Sequence, residues 1–116
     1  MKILYINSLD KRYGSTYRSR NIAKALIGLQ YDLTYVESNL DEKIFEKSIS
    51  IEQKDSLFGY FSATCKRTRL ALRLNYDVLF IQKFIPLAIP ALLAAKLRGK
   101  KCIVDWDDLD FCYQEN

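Results

Sequence analysis

A chain of 116 residues, 49% hydrophobic and 28% charged, is long enough for one domain with one core and too apolar to be disordered. The net charge of +4 is unevenly spread: residues 1–100 hold 17 of the 18 Lys/Arg but 9 of the 14 Asp/Glu, and 101–116 set Lys101 against Asp105, Asp107, Asp108, Asp110 and Glu115. The absence of histidine excludes His-based acid–base chemistry and His metal sites, and Cys65, Cys102 and Cys112 have no metal-ligand spacing. No apolar run approaches the roughly 18 residues of a membrane span, and the short one in MKILYIN falls below a secretion signal, so a cytoplasmic chain with reduced thiols is expected.

Lys2–Asn7 (KILYIN) is a nearly continuous apolar run, the pattern of a strand buried on both faces. Gly14 precedes a helix over 16–29, where Ile22, Ala25, Leu26 and Leu29 form an apolar stripe, Arg18, Arg20 and Lys24 lie off it, and Ser15 or Thr16 suits the N-cap. Residues 32–37 (DLTYVE) read as a second strand, and 47–53 (KSISIEQ) alternate like a short third. A second helix is expected over 57–75, with Phe58, Phe61, Cys65 and Leu72 as its apolar residues. The run 77–82 (DVLFIQ) is a further buried strand, and 86–98 an Ala/Leu-rich helix with Pro86 or Pro90 in its first turn and Gly99 just past its end. Lys101–Asp105 (KCIVD) is the last strand. Buried strands alternating with helices predict a doubly wound, Rossmann-like α/β fold: one three-layer domain over 1–116, its parallel sheet ordered 3-2-1-4-5.

Ligands of such folds sit outside the carboxyl ends of the strands, which singles out three loops. The first holds Asn7, Ser8, Tyr13, Gly14, Ser15 and Thr16: Gly14 lets a ligand approach the backbone, the next helix offers free N–H groups to an anion, and Arg18 and Arg20 add charge. One glycine is neither G-x-G-x-x-G nor a P-loop, so dinucleotide and nucleoside-triphosphate sites of those types are not expected, and an ordinary turn with solvated arginines is the alternative. The second loop, 82–86, carries Lys83. The third, DWDDLD, sets Asp105, Asp107, Asp108 and Asp110 beside Trp106. Such a cluster can hold magnesium, supply a general base, or be a solvated turn with an Asp as N-cap. Leu109 stands where haloacid-dehalogenase-type phosphatases have a Thr, which argues against that motif.

On the second helix, Lys66, Arg67, Arg69 and Arg73 accompany Phe58, Tyr60 and Phe61. The cations suit water, an anionic bilayer surface or nucleic acid, and the aromatics read as core. No segment resembles a nucleic-acid module, so no nucleic-acid partner is expected.

Taken in order, KILYIN, a loop ending in Tyr13-Gly14, and Ile22-Ala23-Lys24-Ala25-Leu26 resemble the N-terminal half of GT-B glycosyltransferases of the retaining, sucrose-synthase-like kind. That family has a Gly-Gly loop ahead of an L-A-x-x-L helix, and Gly14 falls on the second glycine. Residues 77–83 (DVLFIQK), the Leu/Ala helix and 99–108 (GKKCIVDWDD) look like the branch with a gkk-v-DxDD segment. The chain departs from the pattern in Tyr13, which replaces the first glycine, and in lacking the His that many relatives place at the cleft.

The resemblance implies transfer of a sugar from a nucleotide sugar to a sugar or lipid-linked acceptor. The N-terminal half binds the acceptor, and a donor-binding half, absent from these residues, completes the enzyme as more of the chain or as a second subunit. Without it the chain should be inactive. The resemblance makes Asp105, Asp107 and Asp108 the candidate catalytic residues, and Asn7, Tyr13, Gly14, Ser15, Arg18 and Lys83 the candidate substrate-binding ones. Lys66, Arg67, Arg69 and Arg73 are the candidates to face an anionic membrane at its inner surface. No cofactor is expected in this reading. The alternative is a small flavodoxin-like binding or regulatory domain whose acidic rim takes magnesium or a partner; a receiver domain does not fit, because Asn7-Ser8 stand where its paired acids would follow the first strand.

Overall fold

The computed structural model describes residues 1–9, 14–82 and 86–105, the side chain of Ser15 excepted. Strands β1 (Lys2–Asn7), β2 (Asp32–Ser38), β3 (Ser48–Ile51), β4 (Val78–Gln82) and β5 (Lys101–Asp105) form one parallel sheet in the order β3-β2-β1-β4-β5. The expected Rossmann-like order 3-2-1-4-5 is the observed one. Helix α1 (Gly14–Gly28) covers one face over β1 and β2, with Ile3, Tyr5, Ala23, Leu33 and Tyr35 as the core between them. Helices α2 (Leu57–Arg73) and α3 (Ile89–Leu97) cover the other face over Leu4, Ile6, Val36, Leu79 and Ile81. A 3-10 turn, Pro86–Ala88, leads into α3, where Pro90 occupies the first turn, and Gly99 (φ 71°) takes the left-handed position after its end.

The helix faces that meet the sheet are not those marked by large side chains. Helix α1 buries Thr16, Ser19 and Ala23, whereas Ala25 and Leu29 of the expected stripe face solvent. Helix α2 buries Gly59, Ala63, Arg67 and Ala71, four residues apart, and leaves Phe58 81% and Phe61 68% exposed. Small side chains on one stripe let a helix settle close onto a sheet. The approach is tightest at Gly59, where a Cβ would collide with the carbonyl oxygen of Lys54 and lie 2.9 Å from its carbonyl carbon. Ser56 caps this end, its side chain accepting from the Gly59 N–H at 3.0 Å. Arg98 closes the other end of α2, donating through Nη1 to the carbonyls of Ala71 (2.9 Å) and Leu74 (2.8 Å).

Candidate functional site

Register builds the site. Asn7 of β1 pairs with Glu37 of β2 and with Gln82 of β4, and Gln82 pairs with Asp105 of β5. Parallel partners share a face, so Glu37, Asn7, Gln82 and Asp105 form a polar row along the carboxyl edge, on the side covered by α1. Each member is held. Arg20 grips Glu37 with two bonds, Nε to Oε1 at 3.0 Å and Nη2 to Oε2 at 2.6 Å. Tyr35 donates to Glu37 Oε1 at 2.6 Å and thus accepts from Ser19 at 3.2 Å. Asn7 donates to Thr16 Oγ1 at 3.1 Å and accepts the Leu9 N–H at 3.1 Å, which ties the strand end to α1. Tyr5 donates to Gln82 Oε1 at 2.7 Å, and Arg18 grips Asp105 through Nε (3.0 Å) and Nη2 (3.2 Å).

Two arginine–carboxylate pairs of the same design therefore differ in environment. Glu37 is 1% exposed and Asp105 13%, their arginines 27% and 53%. The hydrogen bonds to Glu37 hold Arg20 firmly protonated, above its ordinary range. Burial pushes the Tyr5 and Tyr35 phenols well above 10.0, so both remain neutral donors. In this row only Gln82 Nε2, fully buried, keeps a donor without a partner.

On the opposite face a second polar group lies under the same edge. Arg67 reaches from α2 with 0% exposure, and its Nη2 donates to the Ser8 carbonyl (3.3 Å), to Ser38 Oγ (2.9 Å) and to Gln53 Oε1. Ser38 Oγ (3.1 Å) and Gln53 Nε2 (3.4 Å) donate to the same Ser8 carbonyl. Arg67 Nε and Nη1 and Ser8 Oγ have no partner. With no carboxylate bonded to it, burial lowers the Arg67 pKa to about 10.

Among the residues singled out in the sequence, Asn7, Gly14, Arg18 and Asp105 lie at this edge. Gly14 opens α1 in free space: an added Cβ meets nothing within 4 Å and its φ is not positive, so the backbone itself does not demand glycine there. Thr16 sits inside the first turn of α1, bonded to Asn7. Arg18 and Arg20, expected to add charge for a ligand, are bound to carboxylates instead. Tyr13, Lys83, Asp107 and Asp108 lie outside the described residues, and of Ser15 only the backbone is described. Arg67 was grouped with the membrane-facing cations and is corrected: it stands on the buried stripe of α2, turned to the sheet. That stripe was the available signal, because Gly59, Ala63 and Ala71 recur at the spacing that includes Arg67. Glu37, Tyr35, Gln53 and Gln82 were missed because their roles depend on register.

Lys66, Arg69 and Arg73 do face outward, as does Lys96 of α3. They accompany Leu57, Phe58, Phe61, Leu72, Leu93 and Leu97, all exposed, and a groove of about 680 Å³ lined by Phe61, Cys65, Leu72 and Pro90 together with the three α2 cations. No Asp or Glu occurs between Asp55 and Asp77, or between Asp77 and Asp105. Among the described residues no helix is long and apolar enough to cross a membrane.

The sheet order and the polar carboxyl edge define a Rossmann-like α/β domain whose strand order reverses between β1 and β4, the switch point at which such folds bind ligands. No known protein family matches the sequence, and no curated protein matches it. Solved structures share the fold. The C-terminal domain of a hydrogenase from Pyrococcus furiosus superposes in two structures with TM-scores of 0.71 and 0.70, at 19% and 15% identity, over 90% of this chain and 90% of that one. MurG from Acinetobacter baumannii superposes with a TM-score of 0.61 at 16% identity, over 89% of this chain but 34% of its own. At these identities the likeness is one of fold, and this chain corresponds to about a third of MurG.

Proposed function

We propose that the chain is the acceptor-side domain of a GT-B glycosyltransferase, which moves a sugar from a nucleotide sugar to a sugar or lipid-linked acceptor once a donor-binding half is present. The observation that carries this reading is the match of the whole Rossmann-like sheet to about a third of MurG, combined with a row of carboxylates and amides at the edge where such domains bind ligands. The hydrogenase domain shares the fold at a similar level of identity, and among the described residues no three His, Cys, Asp or Glu converge. In the proposed enzyme Asn7, Tyr13, Gly14, Ser15, Arg18 and Lys83 contact substrate. Asp105, with Asp107 or Asp108, lines the cleft opposite the donor, where a carboxylate orients the attacking hydroxyl. The donor phosphates are clamped by the other half.

Transfer assays with labelled nucleotide sugars and saccharide or lipid acceptors test the division of labour. The pure chain should give no product, and addition of a donor-half polypeptide should restore transfer. Turnover by the chain alone overturns it. A saturable response of Trp106 fluorescence to sub-millimolar magnesium would favour instead a flavodoxin-like domain with a metal-binding rim.

The outer face of α2 and α3 supports a second element of the proposal: peripheral docking on the anionic inner surface of a membrane. Lys66, Arg69, Arg73 and Lys96 beside exposed Leu and Phe, with Glu52 at the edge near Lys66 and Phe58, match both components of such a surface. Each Lys or Arg near an anionic bilayer contributes about 1 kcal/mol, so replacing Lys66, Arg69 and Arg73 by Gln should weaken binding to anionic vesicles by about 100-fold. Equal sedimentation with neutral and anionic vesicles would exclude the charge contribution.

A further inference from the structure

We propose that Arg67 anchors an oxyanion-binding site at the carboxyl ends of β1 and β2, on the face of the sheet opposite α1. Among the described residues three arginines reach this edge, and of these Arg18 and Arg20 are each bound to a carboxylate by two bonds. Arg67, the most buried, has none among its partners: Ser8, Ser38 and Gln53 are all neutral. A buried guanidinium without a counter-charge is strongly destabilising, and it persists where something else supplies the charge.

Unmet hydrogen bonding points to the same place. Among the described residues the buried side-chain atoms without partners are Ser8 Oγ, Arg67 Nε, Arg67 Nη1 and Gln82 Nε2. Every one is a donor, or in the case of the hydroxyl can act as one. Ser8 follows β1 and its carbonyl accepts from Arg67, so the unmet Ser8 hydroxyl and Arg67 N–H groups belong to one end and one face of the sheet, whereas Gln82 ends β4 on the α1 face and stands outside this group. Buried polar atoms are nearly always satisfied, and a group of unmet donors around a cation matches a ligand rich in acceptors and negatively charged. Ser38 and Gln53 hold the guanidinium in place through Nη2, and Asn39 in turn clamps Gln53, accepting its N–H at 2.8 Å and donating to its carbonyl at 3.0 Å. The cation is thus pre-positioned, with Nε and Nη1 left over. A phosphate or a carboxylate meets these requirements. The inference is independent of the sugar-transfer reading, and its test needs no donor half.

Thermal unfolding of the intact chain in inorganic phosphate, in acetate, and in chloride of matched ionic strength tests the site. Phosphate or acetate should raise Tm saturably, by about 5 °C at about ten times its dissociation constant, and the anion with the lower half-point identifies the preferred class. R67M, which keeps the length and removes the charge, should abolish the shift, and R67K should retain part of it. No shift in the wild type beyond that of chloride means that water alone serves Nε and Nη1, and overturns the proposal. So does an equal shift in R67M, which would mark an adventitious ion only. Should R67M fail to fold, NMR of the wild-type chain decides: the Arg67 Nε–H resonance must move with the same half-point as Tm, and a stationary resonance refutes the site.

Discussion

The two faces of the sheet solve the same packing problem with opposite electrostatics. On the α1 face Arg18 and Arg20 each have a carboxylate, the Tyr5 and Tyr35 hydroxyls each have an acceptor, and the polar row is locked to the helix. On the other face the cations of α2 and α3 meet no acid in sequence from Asp55 to Asp105 except Asp77, and the large apolar side chains point outward. Exposed apolar residues occur on both sides, Tyr17, Ile27 and Leu29 on that of α1, but on α2 and α3 they stand beside a run of cations. Helices that already pack through Gly and Ala do not require Phe58, Phe61 or Leu97 for folding. Those residues are free to serve a surface.

The comparison can be broken first at Glu37. E37Q leaves Arg20 half-buried without its counter-charge and leaves one acceptor oxygen for Arg20 and Tyr35 together, and should cost about 3 kcal/mol in urea unfolding. A loss below about 1 kcal/mol would show that the α1 face does not depend on its paired charges. Next comes the small-residue contact of α2. G59A forces a methyl against the Lys54 carbonyl and should destabilise by about 2 kcal/mol, although alanine is the better helix former. Stabilisation would instead mean that the helix is free to move outward.

Smaller effects sharpen the picture. Burial raises the Tyr5 pKa above its ordinary 10.0, so folded and unfolded chains are both protonated below pH 10 and this contribution to stability is complete there. As pH rises further, the unfolded chain releases the proton and the folded one keeps it, and stability falls by about 1 kcal/mol per pH unit for this residue. Arg67, depressed to about 10, acts with the opposite sign over the same range, so the difference between wild type and Y5F isolates the tyrosine. Y5F should show the shallower loss between pH 10 and 11; parallel curves would contradict the burial argument. Smallest is D105N. Its pair with Arg18 has the two-bond geometry of Glu37 with Arg20 but is open to solvent, and should contribute about 0.5 kcal/mol, screened further by salt.

The strands were legible in the sequence because a strand buried on both faces leaves little choice of residue: KILYIN and DVLFIQ admit no other reading at that length. Their order followed from the handedness of crossovers. The helix faces were not legible from size. Periodicity analysis rewards large side chains, and it chose Leu29 and Phe61 where the sheet instead receives Ser19, Ala23, Gly59 and Ala63. At the edge, Asn7, Gly14, Arg18 and Asp105 could be placed by topology alone. That Arg18 binds Asp105 across 87 positions, or that Arg67 turns inward to Ser8 across 59, depends on register and on which face a strand end presents. Single-sequence patterns do not carry that information.

The central claim is the division of labour between the faces, with α2 and α3 outward to a membrane and α1 beside the crevice. Methyl NMR on anionic nanodiscs containing spin-labelled lipid tests it most directly, since the α1 side provides its own control in Ile27, 37% exposed, and in Leu29 just past the helix, 69% exposed. Selective broadening of Leu57, Leu72, Leu93 and Leu97, with Leu29 and Ile27 left sharp, is the predicted result. Equal broadening on both sides, or broadening of the α1 methyls alone, would contradict the account.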